Sequence, residues 1–200
     1  MSIKDSLDLT VAKRNLLEHP FYKAWSAGTL PFEALRTYAR EYGAFISLLP
    51  HAWETLHDPD TAQEEREHAE LWNGFAEALG TRVAGTALLP EVQALTAAAG
   101  RLFSDAASAA GAMYAFEVQQ PATAQSKLNG LKAHYQLPSG VEPYFEIHSH
   151  NEHEARKLAA RIEGLSAEEQ TRAVQACSEM AGALWTALTG INGKNQMTDC

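Results

Sequence analysis

Cysteine is almost absent from this sequence of 200 residues, which contains only two. Cys177 lies within a helical pattern and Cys200 is the last residue, so neither forms a Cys-x-x-Cys motif and a disulfide framework is not expected. No apolar run reaches the roughly 20 residues that a membrane span needs. Residues 1–6 include an acidic residue and lack an apolar core, unlike a signal peptide. These absences predict a cytoplasmic protein.

Basic residues are also few, because 25 Asp and Glu outnumber 16 Lys and Arg and leave a net charge of −9. This balance disfavours a surface that follows the phosphates of a nucleic acid. We therefore expect no nucleic-acid and no membrane partner, and small molecules or metal ions instead. The apolar share of 46% and the charged share of 20% are ordinary for a globular chain, and the length fits one domain.

Alternating strand-like patterns are missing as well, whereas the helix formers Ala, Glu and Leu recur throughout. Apolar residues spaced three and four apart predict an all-α protein with helices at about 6–17, 20–27, 31–55, 61–79, 88–102, 105–134, 141–163 and 167–190. Ser166 and Glu169 form a capping-box pattern before the last helix. Pro121 predicts a kink in the helix at 105–134. We expect one helical domain over residues 1–192, loops at 81–87 and 136–140, and a flexible tail at 193–200.

Glutamate and histidine occur in pairs on two of the predicted helices. His68 follows Glu64 and Glu65 by four and three residues, and His148 precedes Glu152 by four. Side chains with these spacings project from one face of a regular helix. Such pairs also arise by chance in charged helices, so neither pair alone distinguishes a metal site from a solvated surface.

A third predicted helix carries Glu117 among apolar residues, where an unpaired carboxylate would be costly. Helix bundles build dinuclear metal sites from Glu and His pairs together with single glutamates that converge in the core. Imidazole combined with carboxylate favours iron, manganese or zinc over magnesium or calcium. The sequence thus predicts a metal centre, with a buried ion pair of Glu117 and a lysine or arginine as the alternative.

Five separated motifs resemble the haem-oxygenase-like TenA/PqqC superfamily. They are HPFYKAW at 19–25 with GTL at 28–30, YAREY at 38–42, HAELW at 68–72, YAFE at 114–117 and YFEIH at 144–148. Within the superfamily the chain is most similar to the dimetal oxidase branch, which includes the chlamydial protein associating with death domains. The resemblance extends from about residue 16 to about residue 161.

This resemblance implies a compact bundle of seven or eight helices, often dimeric, with one or two ions of iron, or iron and manganese, that activate O2. The family's ligand pattern falls on His68, Glu117, His148 and Glu152. Thr61 stands where the chlamydial relatives have a glutamate ligand, so Glu65 or Glu64 is expected to replace it, as happens in related fatty-acid decarboxylases.

The last ligand position of the family is also altered, because Ala155 stands where the family has a histidine. His150 and His153 are close in sequence, but on a regular helix His153 is rotated by about 140° from His148. Either a π-bulge turns one of these histidines towards the site, or that ligand is missing.

The chlamydial-type members form p-aminobenzoate from one of their own tyrosines, with nitrogen from a lysine. Tyr22 matches that tyrosine and Lys127 the lysine, while Tyr38 and Tyr144 match further tyrosines near the site. The resemblance therefore implies an O2-dependent oxidase that acts on its own tyrosine or on a small molecule. For each of these tyrosines a packing role is the alternative, and for Lys127 a solvated amine.

Two other functions remain open at this level. One is a metal-free TenA/PqqC-type enzyme acting on a small heterocycle, although the hydrolases of this type use a nucleophilic cysteine and Cys177 lies in the last predicted helix. The other is a non-catalytic binding homologue with a degenerate metal site, which the residues at 61 and 155 make plausible. One fold hosts several chemistries, so the resemblance alone does not decide the reaction.

Overall fold

The protein is helical throughout the residues that the computed structural model describes, which are 2–135, 137 and 140–196, with side chains to 193. The helices are α1 Ile3–Ala12, α2 Pro20–Ser26, α3 Phe32–Ile46, α4 Leu49–Thr55, α5 Pro59–Ala78, α6 Pro90–Leu102, α7 Ala106–Glu117, α8 Gln120–His134, α9 Pro143–His148, α10 His153–Glu163 and α11 Ala167–Gln196. A 3-10 turn, Leu16–Glu18, follows α1. No strand occurs in these residues, as predicted.

Three of the predicted helices are each divided in two. The predicted helix 31–55 breaks between α3 and α4, and the predicted helix 105–134 breaks between α7 and α8. The expected kink at Pro121 is therefore wrong, because this proline lies in the first turn of α8. A proline is tolerated there, since the N–H that it lacks has no helical partner.

The third break divides the predicted helix 141–163 into α9 and α10, which residues 149–152 separate. Ser149, His150 and Asn151 are weak helix formers, and no glycine or proline marks the break. The Ser149 hydroxyl donates to the carbonyl of Glu146 and so satisfies an acceptor at the end of α9. Because residues 149–152 are not helical, the side-chain directions on α10 do not continue the helical rotation of α9.

Helix α7 lies at the centre of the molecule, and its residues from 109 to 117 are all buried. It packs against the long helix α11 at Gly111, where an added Cβ would lie 1.9 Å from the carbonyl oxygen of Ala173. Only glycine allows the two backbones to approach so closely. This packing places Glu117, the last residue of α7, inside the protein.

Helix α11 begins with the predicted capping box, in which the Glu169 carboxylate accepts from the backbone N–H of Ser166 and the Ser166 hydroxyl accepts from the N–H of Glu169. It continues to Gln196, beyond the predicted end at 190. The rest of the predicted tail, 197–200, lies outside the described residues, and so do Gln136, Pro138 and Ser139 of the predicted loop. No helix in the described part of the chain is both long and apolar enough to cross a membrane.

Candidate metal centre

Five buried side chains from four helices converge in the core. They are Glu65 and His68 of α5, Glu117 of α7, His148 of α9 and Glu154 of α10. Ligand atoms of Glu65, His68 and His148 lie within 4.8 Å of one another, and those of Glu65, Glu117 and Glu154 do so too. The arrangement therefore offers two adjacent metal positions, one with two imidazoles and one with three carboxylates, and Glu65 belongs to both.

Several polar atoms of this cluster are buried and make no hydrogen bond. They are Oε2 of Glu65, Oε1 of Glu117, Nε2 of His148 and both carboxylate oxygens of Glu154. Leaving a buried polar atom without a partner costs about 1–3 kcal/mol. In the described residues no lysine or arginine forms an ion pair with any of the three carboxylates, which argues against the alternative of a buried ion pair at Glu117. Converging lone pairs of nitrogen and oxygen fit divalent cations.

The carboxylates of the cluster destabilise one another when no cation is bound. Burial raises the pKa of Glu117 well above its usual range, and the charges of Glu154 and Glu65 raise it further. Burial and the charge of Glu65 likewise raise the pKa of Glu154. Each shift shows that a negative charge is unfavourable in this cavity. A bound divalent cation would compensate these charges directly.

The two histidines present ring nitrogens that are suited to metal binding. Nδ1 of His148 lies 2.8 Å from the carbonyl oxygen of Tyr144. Because a carbonyl only accepts, Nδ1 carries the proton and the lone pair of Nε2 remains free. Burial, with the charge of His68, lowers the pKa of His148 to about 3, so the ring is neutral. Burial alone would lower the pKa of His68, but the hydrogen bond of its Nδ1 to Glu65 and the charge of Glu65 raise it.

The structure places Glu154, and not Glu152, in the cluster. Glu152 is exposed, with 68% of its side chain accessible, and its carboxylate pairs with Arg156. The expectation that His148 and Glu152 share one helical face is wrong, because the break at 149–152 intervenes. Sequence reasoning missed Glu154, although its spacing to the buried Leu158 and Ile162 of α10 is that of an inward-facing position.

Helix α5 decides whether Glu64 or Glu65 joins His68 in the cluster. Glu65 is 1% exposed and faces the cluster, whereas half of the Glu64 side chain is exposed. Thr61, at the position of the missing family ligand, is buried, and its hydroxyl accepts a hydrogen bond from Lys157 at 2.7 Å. Its oxygen is thus already occupied, and Glu65 is the carboxylate that α5 supplies.

The position of the second altered ligand lies beside a groove rather than among the ligands. Ala155, together with Glu117, lines a groove of about 540 Å³ between α1, α7, α8 and α10. His150 and His153 are both exposed, so neither replaces the missing histidine in the buried cluster. Helix α10 therefore contributes only Glu154 to that cluster.

A row of aromatic rings extends from the cluster into the core. The ring of Tyr144 stacks on His148 with 4.1 Å between centroids, and it also contacts the ring of Trp72 at 4.7 Å. The ring of Trp72 in turn lies 5.3 Å from that of Tyr38. Gln120 donates to the hydroxyl of Tyr144 and fixes its orientation. Redox-active rings therefore connect the imidazole of His148 with Tyr38.

Lys127 lies at the far end of this row and is fully buried. Its Nζ donates to the hydroxyl of Tyr38 at 3.1 Å and lies 5.5 Å from the ring centre of Tyr22 and 5.0 Å from that of Phe145. Burial lowers the pKa of Lys127 to about 7 and raises that of Tyr22 to about 12. The structure thus brings Tyr22, Tyr38, Tyr144 and Lys127 together, with an amine that is partly neutral at neutral pH.

The burial of Lys127 predicts a specific pH dependence of stability. Between pH about 7 and the usual lysine pKa of 10.5, the unfolded chain holds more protons on this residue than the folded chain. The free energy of unfolding that this residue contributes therefore rises with pH in this window, by about 2 kcal/mol between pH 7 and 9. Urea unfolding of metal-free wild type and Lys127→Met should show this rise only in the wild type. The exposed Lys132 of the same helix is the control, since Lys132→Met should keep the rise.

Comparison with known proteins agrees with this geometry. Residues 50–186 match the haem-oxygenase-like family described as iron-containing redox enzymes. A 4-aminobenzoate synthase of Nitrosomonas europaea is 30% identical over 96% of this chain and 91% of its own, and one of Chlamydia muridarum is 28% identical over 92% and 88%.

A solved structure from Shewanella denitrificans, described as a domain of unknown function with a heme oxygenase-like fold, superposes with a TM-score of 0.78. The superposition covers 98% of this chain and 93% of that one at 14% identity, which shows the fold alone. The all-helical fold predicted from the sequence is thereby confirmed. Together with the buried cluster of carboxylates and imidazoles, the family match shows that this chain belongs to the haem-oxygenase-like iron-containing redox enzymes.

Proposed function

We propose that this protein is a dinuclear metal oxidase that forms p-aminobenzoate from the ring and Cβ of its own Tyr22, with O2 as the oxidant and nitrogen from Lys127. The observation that carries the proposal is the position of Lys127, whose amine lies over the ring of Tyr22 and is joined to His148 by a row of aromatic rings. The names of the relatives from Nitrosomonas and Chlamydia, 4-aminobenzoate synthases, support the same reaction.

The metal pair would be held by the five residues of the buried cluster. His68 and His148 would bind one ion, Glu117 and Glu154 the other, and Glu65 would bind both. The family description favours iron, and the mixed imidazole and carboxylate ligands also suit manganese. When bound, the metal ions would activate O2, which is the oxidant of the reaction.

The residues of the chain prepare the reacting groups. Burial lowers the pKa of Lys127 to about 7 and so favours the neutral amine, which is the nucleophilic form. The hydroxyl of Tyr38 accepts a hydrogen bond from Lys127 Nζ and orients it beside the ring of Tyr22. Tyr144 and Trp72 offer a path for electrons between Tyr38 and the ligand His148. Because Tyr22 and Lys127 are both buried, water is excluded from the groups that react.

Isotope labelling tests the proposal directly. Protein with ring-labelled tyrosine and 15N-lysine, loaded anaerobically with iron and then exposed to O2 and a reductant, should release p-aminobenzoate with both labels. Peptide mass spectrometry should find the modified residue at position 22. Tyr22→Phe and Lys127→Arg should abolish the product, whereas Tyr135→Phe should not, because that hydroxyl binds the carbonyl of Leu30, outside the cluster. If the p-aminobenzoate carried neither label, its atoms would come from an external substrate, and the proposal would be contradicted.

The alternative of a metal-free hydrolase has no support from the described residues. Its nucleophile would be Cys177, which is buried in α11. Burial, with the nearby charge of Asp8, raises the pKa of this thiol to about 12, so almost none of it is thiolate at neutral pH. The alternative of a degenerate binding protein is disfavoured because five ligand-type side chains converge and four of them keep a buried polar atom without a hydrogen-bond partner.

A further inference from the structure

A third group of ligand atoms lies at the protein surface, next to the buried cluster. Ligand atoms of Glu64, His153 and Glu154 lie within 4.8 Å of one another. Glu64 and His153 are half exposed, and a carboxylate oxygen of Glu64 lies 3.8 Å from Nε2 of His153, whereas Glu154 is only 1% exposed. This surface group therefore combines two accessible side chains with one that is buried.

Glu154 connects the surface group with the buried cluster. Both of its carboxylate oxygens are buried and make no hydrogen bond, so both are free to bind a cation. The same residue belongs to the group with Glu65 and Glu117, and Glu65 belongs to the group with the two histidines. Three potential cation positions thus lie in a row, and each pair of neighbours shares one carboxylate.

We propose that Glu64, His153 and Glu154 form a metal uptake site, where a divalent cation binds at the surface and passes by way of Glu154 to the buried centre. This inference rests on the dinuclear centre of the proposed function. One imidazole and two carboxylates suit ferrous iron, manganese or zinc, and exposed ligands let the ion keep part of its water shell. The ion would then move towards Glu65 and Glu117, where two further carboxylates and the imidazoles of His68 and His148 offer additional ligands.

The groove beside Glu117 is the other approach to the centre, but its chemistry is less suited to a metal ion. Its rim carries Lys4 and Arg156 as well as Glu152 and Glu163, so the opposite charges offset each other, and no imidazole lines it. Lys4 forms an ion pair with Asp8, and Arg156 forms one with Glu152. The carboxylates of Asp8 and Glu152 are therefore already paired. The group around His153 is thus the better route for a cation.

The kinetics of metal uptake test this site separately from the centre. Metal-free protein is mixed with limiting Co2+, the d–d absorption of the bound ion is followed by stopped flow, and the final content is measured by mass spectrometry. We expect Glu64→Gln and His153→Gln to fill the buried centre at least about 10-fold more slowly than wild type, while the final content stays the same. His150→Gln and Glu70→Gln, which change exposed residues outside the group, should fill as fast as wild type.

Two outcomes would overturn the inference, and they can be told apart. If the two uptake variants fill as fast as wild type, the uptake site is wrong although the dinuclear centre stands. If wild type retains no metal after gel filtration, the proposed centre itself is wrong and the uptake site falls with it. Both variants change exposed side chains, and thermal unfolding of each metal-free variant at the wild-type temperature would show that slow filling is not a folding defect.

Discussion

Glu65→Gln is expected to lower metal affinity at both positions of the centre by at least about 100-fold, whereas loss of any other ligand should affect mainly one position. The reason is that Glu65 alone belongs to both groups of buried ligand atoms. An amide keeps the size of the side chain but replaces one oxygen with a donor that cannot bind a cation. Metal content per chain after anaerobic loading with iron, measured by mass spectrometry, checks the expectation.

Two further variants make this prediction specific. Glu117→Gln should lose one ion and keep the one that His68 and His148 bind. Glu152→Gln should keep both ions, because the structure places Glu152 on the surface and pairs it with Arg156. If Glu152→Gln lost metal as Glu65→Gln does, the side chain would have to reach the centre, and the break at 149–152 would not describe the metal-bound protein.

Glu117→Gln is also expected to change the free energy of unfolding differently in the metal-free and the metal-bound protein. Without metal, the substitution removes a buried carboxylate that burial and the charges of Glu154 and Glu65 destabilise, so the free energy of unfolding should rise by about 1–3 kcal/mol. With metal in excess, the wild type gains about 2.7 kcal/mol for each site at a concentration of 100 times Kd, and the variant loses that gain at one site. Urea unfolding with and without iron measures both terms.

Glu41 provides the matched control, because it is another fully buried glutamate. Its carboxylate accepts hydrogen bonds from the backbone N–H groups of Leu88 and Leu89 and pairs with Arg40. Glu41→Gln should therefore destabilise the protein equally with and without metal, since the lost partners lie outside the centre. If Glu117→Gln lowered the free energy of unfolding of the metal-free protein, this result would contradict the inference that the buried carboxylates form a cation site.

The helix α5 shows what could be predicted for the candidate site from local sequence. Glu65 and His68 are three residues apart on an uninterrupted helix, so their common face follows from helical geometry alone. The choice between Glu64 and Glu65 could not be made in this way, because both spacings are compatible with a pair. It is the packing of α5 against its neighbours that buries Glu65 and leaves Glu64 at the surface.

The segment from His148 to Glu154 shows where prediction from sequence failed. Residues 149–152 contain no proline or glycine, so one helix over 141–163 is the simplest interpretation of the sequence. A break of this kind depends on the free energy of packing α9 and α10 separately, which no local propensity reports. The break changes the rotational phase of α10 relative to α9, and Glu154 rather than Glu152 therefore lies in the buried cluster.

Composition, helical spacing and motifs within single segments are enough to predict the helical class, the family, and His68, Glu117 and His148 as candidate metal ligands. Folding is needed to show that Glu65 and Glu154 each belong to two groups of ligand atoms, and that Lys127 lies over Tyr22 with its pKa lowered to about 7. The physical reason is that burial and the charges of neighbouring groups depend on contacts between helices distant in sequence.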